Sequence, residues 1–312
     1  MTTIFLYGLI YLALLVFVIG CVIRAVQYAR MPIHLRWELY PVPHEEARRV
    51  EHGGSYFEDV DWWEKSAHFN LAGEMSFMVP EMLFLKGLWE YNRKLWSRSF
   101  PFHFGLYLLI GSTMLLVAAT LVLLVLPASI AGLLATACLG LGKVVGLAGV
   151  ILVILGSIGL LRRRLTDEDM KNYTTPGDIF NLLFFTVTCT LLLAGYVFSG
   201  QQFPGMLAFV RGLVTFNPSV PVPGLLALGM ISGALLTAYI PYTHMSHFIA
   251  KYFTYHSVRW DDRVNVRGGE LAKKLAEYLT YRPTWSAPHI GADGVKTWAD
   301  VATANPAMEK KK

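Results

Sequence analysis

The stretch GLLALGMISGALLTAYIPYTHMSHFIAKYFTYH, residues 224–256, decides how the chain is read. Its first half, residues 224–240, carries no charged side chain and approaches the length needed to cross a hydrocarbon layer. Its second half holds three of the nine histidines, His244, His247 and His256. Histidine is costly at membrane depth and is retained there for proton relay, ligand contact or metal binding. The remaining sequence has to supply the partners of these imidazoles.

Working outward, 54% of the 312 residues are hydrophobic and only 16% are charged, with a mean hydropathy of +0.44. Apolar runs of about 20 residues recur, the signature of membrane spans. Cys21, Cys138 and Cys189 all lie in such runs, without a C-x-x-C or C-x-x-C-H spacing. That composition argues against an iron–sulfur cluster, a structural zinc or covalent haem in this chain. The formal charge of +5 reads as topology, and no aromatic-interleaved basic patch suggests nucleic acid.

Five spans are predicted, at about residues 4–23, 101–126, 144–161, 179–198 and 224–249. The first is read as a retained helix, because no basic segment precedes it and no small-x-small cleavage site follows. Residues 128–142, rich in Gly and Ala, read as a connection, with Lys143 at the outer start of the third span. Thr175, Pro176 and Asp178 form a capping signal ahead of the fourth. Lys and Arg concentrate in the first-to-second loop, the third-to-fourth loop (Arg162, Arg163, Arg164) and the tail. The positive-inside rule then places the N-terminus outside and the C-terminus in the cytoplasm of an inner-membrane protein.

The expected fold is an all-α integral membrane protein, a five-helix transmembrane bundle. It divides into residues 1–100, a first span and long cytoplasmic loop, 101–255, a four-helix core, and 256–312, a cytoplasmic tail. Within the loop, Phe77, Met78, Met82, Leu85, Leu88, Trp89 and Trp96 suggest an amphipathic helix broken or started near Pro80. It suits either the membrane boundary or a partner subunit. Glu74 and Glu81 read mainly as its solvated face, with a quinone-contacting role as the competing idea.

His103 opens the second span and His247 closes the fifth, so the two fall at matched depth on antiparallel helices. Facing imidazoles of this kind can ligate one haem iron from both sides, against the plainer reading of interfacial histidines. His244, three residues earlier, shares roughly the face of His247 and remains an alternative ligand, a supporting group or a quinone contact.

Three stretches carry a family resemblance: Ser99–Gly105 (SFPFHFG), Leu160–Leu165 with Thr174–Asp178, and Ile240–His247 (IPYTHMSH). They resemble the gamma-subunit family of respiratory nitrate reductases, membrane cytochromes b. The resemblance implies one haem b near the cytoplasmic face on His103 and His247, with His244 nearby. It implies menaquinone as substrate and a cytoplasmic iron–sulfur partner. Lys143 falls where the family has a basic residue near its quinol site, although an ordinary loop lysine is the plainer reading. The outer haem pair of the family would fall at Thr113 and Gly229, which puts a second haem in doubt. The long loop, with residues 31–43 and Asp61-Trp62-Trp63-Glu64, looks closer to the branch with heterodisulfide-reductase-type partners, which also implies a periplasmic multihaem cytochrome c. The first expectation is therefore an electron-transferring cytochrome b subunit. The competing ones are a haem-free membrane anchor of such a complex and a transporter component; no internal repeat or mid-span acid supports transport.

Overall fold

The computed structural model describes residues 3–31, 43–45, 59–66, 69–198, 203–218, 220–261, 265–286 and 290–304. Helix α1 covers Thr3–Ala29, α2 Leu71–Phe84, α3 Arg93–Val125, α4 Ala128–Thr166, α5 Pro176–Phe198 and α6 Phe203–Val214. Helix α7 covers Gly224–Tyr239, α8 His247–Phe253, α9 Glu270–Leu279 and α10 Trp298–Thr303. Among the described residues, α1, α3, α4, α5 and Gly224–Tyr242 are long and apolar enough to cross a membrane. Only 22–33% of each apolar window is buried inside the protein, so most of that surface is left for lipid tails. The chain is an all-α, multi-pass membrane protein.

It divides into two compact units, Met1–Val22 with Met75–Ser246, and Ile23–Glu74 with His247–Lys312. In the first, α3 packs along α4, α4 along α5, and α5 along α7. Lipid offers no hydrophobic drive between helices, so close backbone approach and polar bonds do the joining. A Cβ on Gly105 of α3 would lie 2.7 Å from the Val153 nitrogen of α4; one on Gly156 would lie 2.7 Å from Phe102 Cα. Each helix pair also shares a hydroxyl bond. Ser112 Oγ donates to the Gly142 carbonyl (2.8 Å), Ser157 meets Thr186 (2.8 Å), and Thr188 meets Ser232 (2.6 Å). In the same unit, α1 is tied to α6 by Tyr7 Oη on the Phe209 carbonyl (2.9 Å) and Tyr11 Oη on the Leu213 carbonyl (2.6 Å).

Three departures from the sequence expectations matter. Helix α4 runs unbroken from Ala128 to Thr166, so residues 128–142 are helical and Lys143 sits within the helix, exposed. Helix α3 starts early, at Arg93, and runs through Pro101; the Asn92 side chain caps it by accepting from Leu95 N–H at 3.0 Å. The fifth span is not one helix. It passes from α7 into 3-10 turns at Ile240–Tyr242 and His244–Ser246, with extended backbone at Thr243 (φ −120°, ψ 174°), before α8 begins. Pro241 brings no N–H to continue the α-helical ladder, which accounts for the break at this point.

The second unit holds the end of α1, the start of α2, and the segments from α8 onward. After α8 the chain makes a π-helical turn, Thr254–Arg259, closed by Trp260 N–H on the Tyr255 carbonyl (2.8 Å). Tyr255 and Trp260 are buried there, as are His44, Glu45, Glu74 and Asp261. Of the long-loop signals, Asp61-Trp62-Trp63-Glu64 forms a 3-10 turn. Most of residues 31–43 lie outside the described residues.

Candidate functional site

The polar residues of the first unit converge where α4 ends, α5 begins and the fifth span breaks. Helix α5 is opened by a reciprocal cap. Thr175 N–H and Oγ1–H both donate to Asp178 Oδ2, at 2.9 and 2.8 Å. The same carboxylate oxygen meets Arg164 Nη1 at 3.4 Å. The other oxygen, Oδ1, lies 3.5 Å from His244 Nε2, and Asn181 Nδ2 reaches the same nitrogen at 3.5 Å. Asp178 is largely buried, with 12% of its side chain exposed, whereas the His244 side chain is 63% exposed. Asn181 is buried, and its Oδ1 has no hydrogen-bond partner. The arrangement is an exposed imidazole beside a largely buried carboxylate.

The other expected site residues fall elsewhere. His103 lies in α3, its Nδ1 donating to the Ser99 carbonyl at 2.8 Å and its ring edge-on to Phe102. His247 is the first residue of α8, in the second unit. The break at Thr243 removes the continuous helix on which His244 and His247 were expected to share a face. Lys143 is remote in sequence from the Asp178 cluster and sits on an exposed flank of α4.

These observations correct the haem reading. Among the described residues, no group of three or more His, Cys, Asp or Glu side chains could hold a metal ion. The bis-histidine haem b on His103 and His247, and the cytochrome b relay between menaquinone and an iron–sulfur partner built on it, are not supported. The outer positions do not fit a haem ligand either. Thr113 spends its hydroxyl on the Leu109 carbonyl (3.0 Å). A Cβ on Gly229 would lie 2.8 Å from the Leu192 nitrogen, because α5 backbone occupies that place.

Glu74 and Glu81 also differ from a solvated face. Glu74 is buried and paired with His256. Glu81 Oε2 accepts the Gly87 N–H at 2.8 Å, bridging the kink at Leu85, whose φ of 52° separates α2 from a short six-residue helix at Lys86–Tyr91. Sequence reading had no signal for the Glu74 pairing, since its partner is 182 residues away.

The family model described as nitrate reductase gamma subunit matches residues 88–263, more than half of the chain. The respiratory nitrate reductase 2 gamma chain of Escherichia coli (strain K12) is 27% identical over 125 residues, covering 37% of this chain and 55% of that protein. The chain thus spans about half the length of the curated relative it matches. With the matched region covering the spans α3, α4, α5 and Gly224–Tyr242, the chain belongs to the nitrate reductase gamma subunit family.

Proposed function

We propose that the chain is a haem-free membrane-anchor subunit of a quinone-linked oxidoreductase complex, seating an iron–sulfur partner at the inner membrane. The observation that carries this reading is the coincidence of the family match with the packed helices α3, α4, α5 and α7. An anchor needs a lipid-facing bundle and a charged end for its partner. The cationic end is the Arg162-Arg163-Arg164 turn closing α4. The distribution of Lys and Arg supports a cytoplasmic location for that end and for the C-terminus, with the N-terminus outside. The long segment preceding the matched region supports a partner of the heterodisulfide-reductase type.

His244 is the proposed contact for a quinone headgroup, its exposed ring backed by Asp178 and Asn181. Lys143, exposed on α4, is the second candidate.

Two measurements test the reading. Affinity purification of the tagged chain from native membranes is expected to bring down a protein with iron–sulfur absorption. Deleting the chain should release that protein into the soluble fraction; its retention on the membrane would overturn the anchor role. Reduced-minus-oxidised spectra of the purified chain are expected to lack b-type bands. Their appearance would overturn the haem-free reading.

A further inference from the structure

The second unit contains a polar pair that the proposed anchor role does not use. Glu74, in the first turn of α2, places Oε1 3.0 Å from His256 Nε2 in the π-helical turn. Glu74 is 5% exposed, and its other oxygen, Oε2, is buried without a hydrogen-bond partner. On the far side of the ring, Nδ1 lies 2.9 Å from the Tyr252 carbonyl. The ring stacks on Tyr252 at 4.1 Å and meets Trp260 edge-on at 5.7 Å. The π turn sets this register, and π turns recur at functional positions in helices.

Donor and acceptor bookkeeping fixes the protons. A carbonyl only accepts, so His256 Nδ1 carries a hydrogen. Were Glu74 ionised and Nε2 bare, two lone pairs would face each other at 3.0 Å with the acid buried, an arrangement that leaves both groups unsatisfied. A proton therefore lies on the Nε2–Oε1 line, as imidazolium with carboxylate or as imidazole with carboxylic acid.

We propose that His256 and Glu74 form a proton-holding site of this subunit, one shared proton between Nε2 and Oε1. Release of that proton leaves an Nδ1–H imidazole and a carboxylate, and no electron moves. Charged and titratable groups among the described residues of the same unit include His44, whose ring lies 5.8 Å from Trp260, the buried Glu45 and Asp261, and Lys251 and Arg259 over the Tyr255 ring. Use of the proton in quinone chemistry rests on the function proposed above; its presence does not.

The test uses the full chain in lipid nanodiscs, without quinone or partner. Ring-nitrogen NMR of labelled histidine, assigned by His256→Gln, is combined with infrared spectra of the carboxyl region, assigned by Glu74→Gln. At neutral pH the expected result is either both ring nitrogens protonated, or an Nδ1–H ring together with a carboxylic-acid band that Glu74→Gln removes. A neutral ring with no such band, or a ring protonated only at Nε2, overturns the proposal. Glu74→Gln keeps a donor for Nε2 and so preserves the fold. It is expected to lower the number of protons bound per chain at neutral pH by one; an unchanged count overturns the proposal as well.

Discussion

At the scale of single residues, small side chains decide how closely helices approach. Gly229 is one such case, since a Cβ there would lie 2.8 Å from the Leu192 nitrogen of α5. Gly229→Ala is expected to destabilise the bundle by about 1–3 kcal/mol through overpacking, read as a lower unfolding midpoint in detergent. The Thr188–Ser232 bond should count for less, with a double-mutant coupling of about 0.6 kcal/mol on replacing both by apolar residues. Sequence reading identified His244 and Asp178 separately, one as a membrane histidine and one as a cap. Their approach to 3.5 Å depends on the backbone break at Thr243, which residue types alone do not encode. Glu74 was read mainly as part of a solvated face, whereas the distant π turn carrying His256 supplies its partner.

At the scale of elements, the spans were legible because apolar length is a strong signal, and their ends were less so. Residues 128–142 resemble a connection by the rules of soluble helices, in which glycine is a cost. In an apolar helix packed against another, glycine is tolerated and even useful, and α4 continues through it. Pro241 was visible in the sequence, but the fifth span was read as continuing past it to about residue 249. The C-terminal helix α10 offers a pH-dependent element. Thr297 N–H and hydroxyl donate to Asp300 Oδ2 at 2.8 and 2.7 Å and hold that carboxyl below its ordinary value. Because the folded value is depressed, the cap's contribution is present above the unfolded value and is lost as pH falls through the folded one. Amide exchange at Thr297 is expected to quicken over that acidic interval, and Asp300→Asn should flatten the dependence.

At the scale of the whole molecule, the proposed orientation makes a direct prediction. Reporter fusions in the 167–175 connection and at the C-terminus should both register as cytoplasmic, and one within residues 215–223 as external. A reversed pattern would invert the assignment of the arginine-rich end. The lengths of α3 and α4 carry a further consequence. At 33 and 39 residues they extend about 50 and 58 Å, against a hydrocarbon core of about 30 Å, whereas α5 at 23 residues is close to a simple crossing. Those lengths include charged ends, Arg93, Lys94 and Arg98 on α3 and Arg162, Arg163 and Arg164 on α4; the apolar stretches left, about residues 100–125 and 128–161, still exceed the hydrocarbon core, so the pair is expected to meet its bilayer by leaning or by thickening the lipid around it. Reconstituted into bilayers of increasing acyl length, the subunit should unfold at progressively higher temperature until the lipid matches the hairpin.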